Sequence, residues 1–114
     1  MDYVSTRGQD GPLGYEEALL SGLARDGGLY LPTDYPAFTE DEIRAMAGLP
    51  YARLAGRIMA RFTDGEIDEA ELAAMAGDAY AEFTDSEVAP LRRLTDRIHV
   101  MELFHGPTIA FKDY

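Results

Sequence analysis

Across residues 15–25 the apolar positions Ala18, Leu19, Leu20 and Leu23 recur at helical spacing, with Glu16 and Glu17 in the first turn, where the helix dipole favours negative charge. The pattern predicts a helix that the Asp26-Gly27-Gly28 run brings to an end. Before it, Tyr3-Val4-Ser5-Thr6 combines β-branched and aromatic residues in the manner of a short strand, and turn chemistry follows in Arg7-Gly8-Gln9-Asp10-Gly11-Pro12. After it, the apolar run Leu29-Tyr30-Leu31 ahead of Pro32 predicts a second strand.

The middle of the chain reads as helical throughout. Thr39 and Glu42 have the spacing of a capping box, which opens a short helix to about Ala47 before Gly48 ends it. Pro50 then stands where a first helical turn tolerates a missing N–H, and Leu54, Ile58, Met59 and Phe62 lay an apolar stripe along the next helix. Asp68 with Glu71 repeats the capping logic for a further helix whose Leu72, Met75, Ala76, Ala79, Tyr80 and Phe83 share a side. These two stripes are expected to pack on each other as core.

From Pro90 the texture changes. A short segment at 91–94, a polar turn at Thr95-Asp96 and a stretch dense in β-formers at 98–104 predict a hairpin or a pair of strands. His105-Gly106-Pro107 closes the second strand, and residues 108–114 are expected to begin a further, helical element that the chain does not finish. The fold expected is α+β: three to four helices packed on a small β-sheet, with one domain spanning 1–114.

Composition bounds this picture. With 46% apolar residues, 114 residues suffice for one domain with a real core. Ten basic against 21 acidic side chains, a net charge of −11, argue against a general nucleic-acid binder or a basic membrane-surface helix. Zero cysteines remove disulfides, thiolate nucleophiles and cysteine-based zinc sites. Together with a start that lacks the features of a signal peptide and the absence of any membrane-length apolar run, this suggests a soluble, cytoplasmic protein.

Most candidate chemistry has an ordinary explanation. The segment Asp64-Gly65-Glu66-Ile67-Asp68-Glu69-Ala70-Glu71 fits the later positions of a calcium loop, but the first and third positions fall on Ala60 and Phe62, which offer no side-chain oxygen. An inter-helix turn with an aspartate cap is the better reading. His99 and His105 have no third ligand at a recognisable spacing, so no metal site is assigned: His99 faces solvent or a rim, and His105 lines a pocket or serves the Gly-Pro turn. Gly8-Gln9-Asp10-Gly11-Pro12-Leu13-Gly14 precedes a helix as phosphate loops do, yet lacks their Gly-Lys-Ser/Thr ending. Lys112 is different, because the chain uses arginine nine times and lysine once. Only the amine forms a Schiff base with an aldehyde, since a guanidinium stays protonated. From composition alone, a surface lysine near the chain's end is the commoner explanation.

The string Leu103-Phe104-His105-Gly106-Pro107-Thr108-Ile109-Ala110-Phe111-Lys112-Asp113 resembles the lysine motif of threonine synthases, pyridoxal-phosphate enzymes of fold type II. Tyr3-Val4-Ser5-Thr6-Arg7-Gly8 resembles that family's amino-terminal strand, and the run from Ala18-Leu19-Leu20-Ser21-Gly22 to Gly27-Gly28-Leu29-Tyr30-Leu31-Pro32 its first helix and turn. The resemblance implies that Lys112 is both the catalytic and the cofactor-binding residue, holding pyridoxal 5'-phosphate and shuttling protons as a neutral amine. It also implies a substrate, O-phospho-L-homoserine, which with water gives L-threonine and phosphate. An apolar or electropositive setting that depresses the Lys112 pKa is then expected, with Pro107 and Phe111 as an apolar wall and Thr108 and Asp113 orienting the site.

Family members run several times longer than this chain, which stops two residues after the lysine. The expectation is therefore an amino-terminal domain, inactive alone, in which 105–114 starts the lysine segment of a catalytic domain whose remainder is missing. A stand-alone helical interaction module with a remnant lysine motif is the alternative.

Overall fold

The computed structural model describes all of residues 1–114. Strand β1 (Tyr3–Ser5) pairs antiparallel with β2 (Tyr30–Pro32), placing Val4 opposite Leu31. Helix α1 (Tyr15–Ser21) lies between them in sequence. Two aspartates fasten the intervening loops: Asp10 accepts from Arg25 N (2.7 Å) and from the Tyr30 hydroxyl (2.8 Å), while Asp26 accepts from Ser5 Oγ (2.6 Å), Gln9 N and Gly28 N. The helix predicted to reach residue 25 ends earlier. Gly22 turns left-handed at φ 68°, and Leu23 forms an isolated bridge with Leu29. The bridge and the aspartate contacts place these residues in a turn, so tertiary pairing overrides the continuing apolar pattern.

The capping box forms as expected. Thr39 Oγ1 accepts from Glu42 N (3.2 Å), Glu42 Oε2 accepts from Thr39 N (2.8 Å), and α2 (Glu40–Met46) follows. Pro50 occupies the N-cap of α3 (Tyr51–Thr63), one residue before the first helical position expected for it. Asp64 and Gly65 reverse the chain in left-handed conformations, and Asp68 Oδ1 accepts from Ala70 N and Glu71 N to start α4 (Glu69–Tyr80). The calcium-like segment is thus an inter-helix turn with an aspartate cap.

Helices α3 and α4 pack together, but the seam differs from the expected stripes. Gly56 lies directly on Ala73, so close that a Cβ on Gly56 would stand 2.7 Å from Ala73 N. Leu72, Ala73 and Ala76 are buried, whereas Ile58, Met59 and Met75 remain exposed. Small residues let the two backbones approach, and that approach turns the longer side chains toward the margins. Tyr3 joins this pair to the first sheet by donating its hydroxyl to Phe62 O at 2.7 Å.

The strands expected in one sheet form two. β3 (Leu91–Arg93) and β4 (His99–Met101) make a separate antiparallel hairpin, with Leu91 opposite Met101. Thr95 Oγ1 holds its turn by accepting from Arg97 N and Ile98 N. All six strand residues are exposed, so this hairpin rests on its own ladder and on ties to Pro90, whose carbonyl accepts from Glu102 N at 3.0 Å, and to Asp85, whose carboxylate accepts from Arg92 at 3.1 Å.

Candidate functional site

Beyond the hairpin the chain folds into a tight loop. His105 is held by the loop that follows α4: Thr84 N donates to His105 O (2.9 Å), and Thr84 Oγ1 lies 3.2 Å from His105 Nδ1. On its other side His105 Nε2 meets Glu102 Oε2 at 2.8 Å, and Glu102 is also reached by Arg92 at 3.4 Å. This half-buried histidine therefore serves the turn through both ring nitrogens, while His99 in β4 is exposed.

Inside the loop Asp113 acts as a clasp. Its carboxylate accepts from Thr108 Oγ1 (2.5 Å) and Thr108 N (2.9 Å) and covers Gly106, which is buried. A side chain on Gly106 would overlap that carboxylate, which explains the need for glycine there. The Thr108 hydroxyl hydrogen bond, helped by the backbone N–H of Thr108, holds the Asp113 carboxyl below the usual aspartate range despite some desolvation. Ile109 sits between them at φ 62°, a left-handed conformation costly for a β-branched residue.

Lys112 lies in the single 3₁₀ turn Phe111–Asp113. It is exposed, with Nζ 5.1 Å from the centroid of the Phe111 ring. Of the residues expected to form its surroundings, Phe111 meets the amine and Thr108 pairs with Asp113, but Pro107 is exposed. The apolar enclosure expected around the amine is not built by this chain, since Ile109 and Phe111 are 73% and 66% exposed. The loop presents the amine on its surface.

What sequence reasoning missed is the seat of the loop. Tyr51, Tyr80, Phe83 and Tyr114 stack edge to face in a row, with centroids 5.1, 5.1 and 5.0 Å apart. The Tyr80 hydroxyl donates to Tyr114 O at 3.2 Å. Burial raises the Tyr80 pKa. Tyr80 and Phe83 were legible as members of a helical stripe, but nothing in the spacing connects them to Tyr114.

The glycine-rich run before α1 holds no free anion site. Glu66 places its carboxylate on Tyr15 N (3.2 Å) and Glu16 N (2.9 Å), occupying the donors that a phosphate would need. An open apolar groove of about 380 Å³ lies between α1 and the first sheet, lined by residues such as Tyr3, Leu19 and Leu31 and by none from the lysine loop.

The family described as the threonine synthase N terminus matches residues 2–80. A threonine synthase of Pseudomonas aeruginosa is 50% identical over 114 residues, which is 100% of this chain and 24% of that protein. The crystal structure of a PLP-bound threonine synthase from Brucella melitensis superposes with a TM-score of 0.91 at 51% identity, covering 99% of this chain and 24% of the other. A yeast threonine synthase structure gives a TM-score of 0.86 at 37% identity, over 98% of this chain and 23% of that one. The chain spans about a quarter of the length of the curated relatives it matches.

Proposed function

This chain belongs to the threonine synthase family, matching its amino-terminal part, and from that membership we propose that it is the lysine-bearing portion of such an enzyme. The reaction in this reading converts O-phospho-L-homoserine and water into L-threonine and phosphate with pyridoxal 5'-phosphate, in a cytoplasmic enzyme of the lyase class. The observation that carries it is Lys112, the one lysine of the sequence, held on a clasped loop with its amine exposed. The match over the whole chain to threonine synthases favours this reading over a stand-alone interaction module.

The residues present fit the cofactor at its aldehyde end. A primary amine is the required group, and Lys112 offers it beside an aromatic face and free of any ion pair. When bound, pyridoxal phosphate supplies an electron sink that stabilises negative charge developing next to the substrate carbonyl. Lys112 Nζ would hold the cofactor and, once released by the incoming substrate amine, move protons between substrate carbons. Phe111 shields one side of that amine. The Thr108–Asp113 clasp fixes the backbone on either side of Phe111 and Lys112, so the loop that carries the amine keeps its internal shape.

The contribution of the remaining three quarters of such an enzyme is to hold the phosphate groups and to cover Ile109, Phe111 and the exposed apolar faces of the β3–β4 hairpin. The net charge of −11 supports that division, because two phosphorylated ligands need basic partners that this acidic chain does not supply in excess. No helix is long and apolar enough to cross a membrane.

The test is a chimera in which this chain replaces the matching first quarter of the Pseudomonas enzyme. Phosphate release from O-phospho-L-homoserine should persist, and Lys112→Arg should lower it by about a thousandfold or more. Borohydride reduction in the presence of pyridoxal phosphate should leave a covalent adduct on Lys112. A folded chimera without turnover, or an adduct found only at the amino terminus, would overturn the assignment.

A further inference from the structure

The lysine loop is closed at its ends by one side chain. Tyr114 Oη accepts from His105 N at 3.0 Å and donates toward Glu102 O at 3.4 Å, so the residue two places after Lys112 is tied back to the point where the loop begins. The Tyr114 ring stands edge-on against Phe83, at 88° between planes, and its carbonyl takes the Tyr80 hydroxyl. These contacts place the loop on the end of α4 and on the segment that follows it. Without them the loop would be joined to the rest of the molecule through the Thr84 and Glu102 contacts of His105, at one end only.

We propose that Tyr114 is a positioning residue for Lys112: its hydroxyl closes the loop, and its ring seats the closed loop on the helix pair. The Asp113 clasp gives the loop its internal shape, but a clasp between Thr108 and Asp113 moves with the loop and cannot orient it. Orientation needs a contact to something outside, and Tyr114 provides it through His105, Glu102, Phe83 and Tyr80. The helical layer thereby acquires a role at the site, since Tyr51 and Tyr80 extend the row from the loop to α3 and α4. The importance of this orientation for catalysis rests on the function proposed above, while the anchoring itself does not.

Because the chain has one lysine, isotope-labelled lysine yields one side-chain signal set, read directly in the 114-residue protein. Relaxation of those signals reports how firmly the loop is held on the protein. Tyr114→Phe keeps the ring against Phe83 and removes only the hydroxyl. It should make Lys112 more mobile than in the parent and speed hydrogen exchange at the His105 amide about tenfold, with α3 and α4 amides unchanged. Tyr114→Ala should go further in the same direction.

Unchanged Lys112 mobility in Tyr114→Phe, with a change in Tyr114→Ala alone, would reduce Tyr114 to packing and overturn the proposal. Loosening that spreads through α3 and α4 would also overturn it, because the loop would then be part of the helical fold and not a body held upon it. Neither readout needs turnover, so a failed chimera would refute the proposed function while these spectra still decide the anchoring.

Discussion

Gly56→Ala should destabilise the chain even though alanine is the better helix former. Gly56 and Gly77 are both interior positions of packed helices, so replacing either with alanine brings the same backbone gain of about 1 kcal/mol. Their surroundings differ. A Cβ at Gly56 would stand 2.7 Å from Ala73 N and 2.8 Å from both Ala73 Cα and Cβ, whereas one at Gly77 would meet only Ala52 Cβ at 4.0 Å. The first contact is against backbone that cannot rotate away, so α3 and α4 must separate by roughly 0.7 Å to restore normal packing distance. Overpacking of this kind costs about 1–3 kcal/mol, and a rigid backbone neighbour puts Gly56 near the upper value. The net expectation is a loss of about 2 kcal/mol for Gly56→Ala and a gain of about 0.5–1 kcal/mol for Gly77→Ala. At about 4 °C per kcal/mol for a domain of this size, the variants should melt about 8 °C below and about 3 °C above the parent. Urea unfolding followed by circular dichroism should show midpoints moving in opposite directions at constant slope. If Gly56→Ala proved as stable as the parent, or both variants shifted in the same direction, the backbone contact would not govern the seam.

Three other perturbations have definite outcomes. Thr39→Ala removes the side chain that accepts from Glu42 N and should cost about 1 kcal/mol in the same unfolding assay, with no effect on the lysine loop; a change below about 0.3 kcal/mol would contradict the capping role. Acid should destabilise the fold. Asp26, Asp10, Glu42 and Asp113 all have carboxyls held below their usual values, by the hydrogen bonds of Ser5 Oγ, Arg25 N, Thr39 N and Thr108 Oγ1 respectively. A folded pKa below the unfolded one contributes stability that is complete above the unfolded range, about 3.9–4.3, and is lost as pH falls through the lowered folded values. Stability should therefore decline from about pH 4 downward, and less steeply in Asp26→Asn; a flat profile from about pH 5 to 3 would refute the assignment. Finally, Ile109→Asn should raise stability by about 1 kcal/mol, because asparagine tolerates the left-handed conformation and the replaced side chain is 73% exposed; a lower melting temperature would show that Ile109 is held by packing.

Local chemistry was legible wherever neighbours in sequence decide the outcome. Thr39 with Glu42, Asp68 ahead of α4, the turn at Asp64-Gly65 and the short strands at both ends follow from interactions spanning a few residues. The α+β class and the four-helix count within the expected range follow from the same local patterns. Lys112 stood out because it is the only amine side chain among ten basic residues, and the motif around it pointed to its family.

Where long-range contacts compete with a local pattern, the sequence misleads. Residues 23–25 continue the α1 periodicity, but the Leu23–Leu29 bridge and the Asp10 contact to Arg25 N take them out of the helix. The stripes on α3 and α4 name the right helices and part of the seam, since Leu72 and Ala76 are buried, but close approach selects Gly56 and Ala73 over Ile58, Met59 and Met75. The sequence by itself determined the elements, their caps and the presence of a single lysine amine, all matters of residue type and spacing. Only the tertiary structure decided that two hairpin-like sheets form instead of one, that Glu66 fills the anion site of α1, and that Tyr114 joins His105 to the aromatic row of α4. Those outcomes depend on groups between 9 and 50 residues apart finding one another in space, which no local pattern specifies.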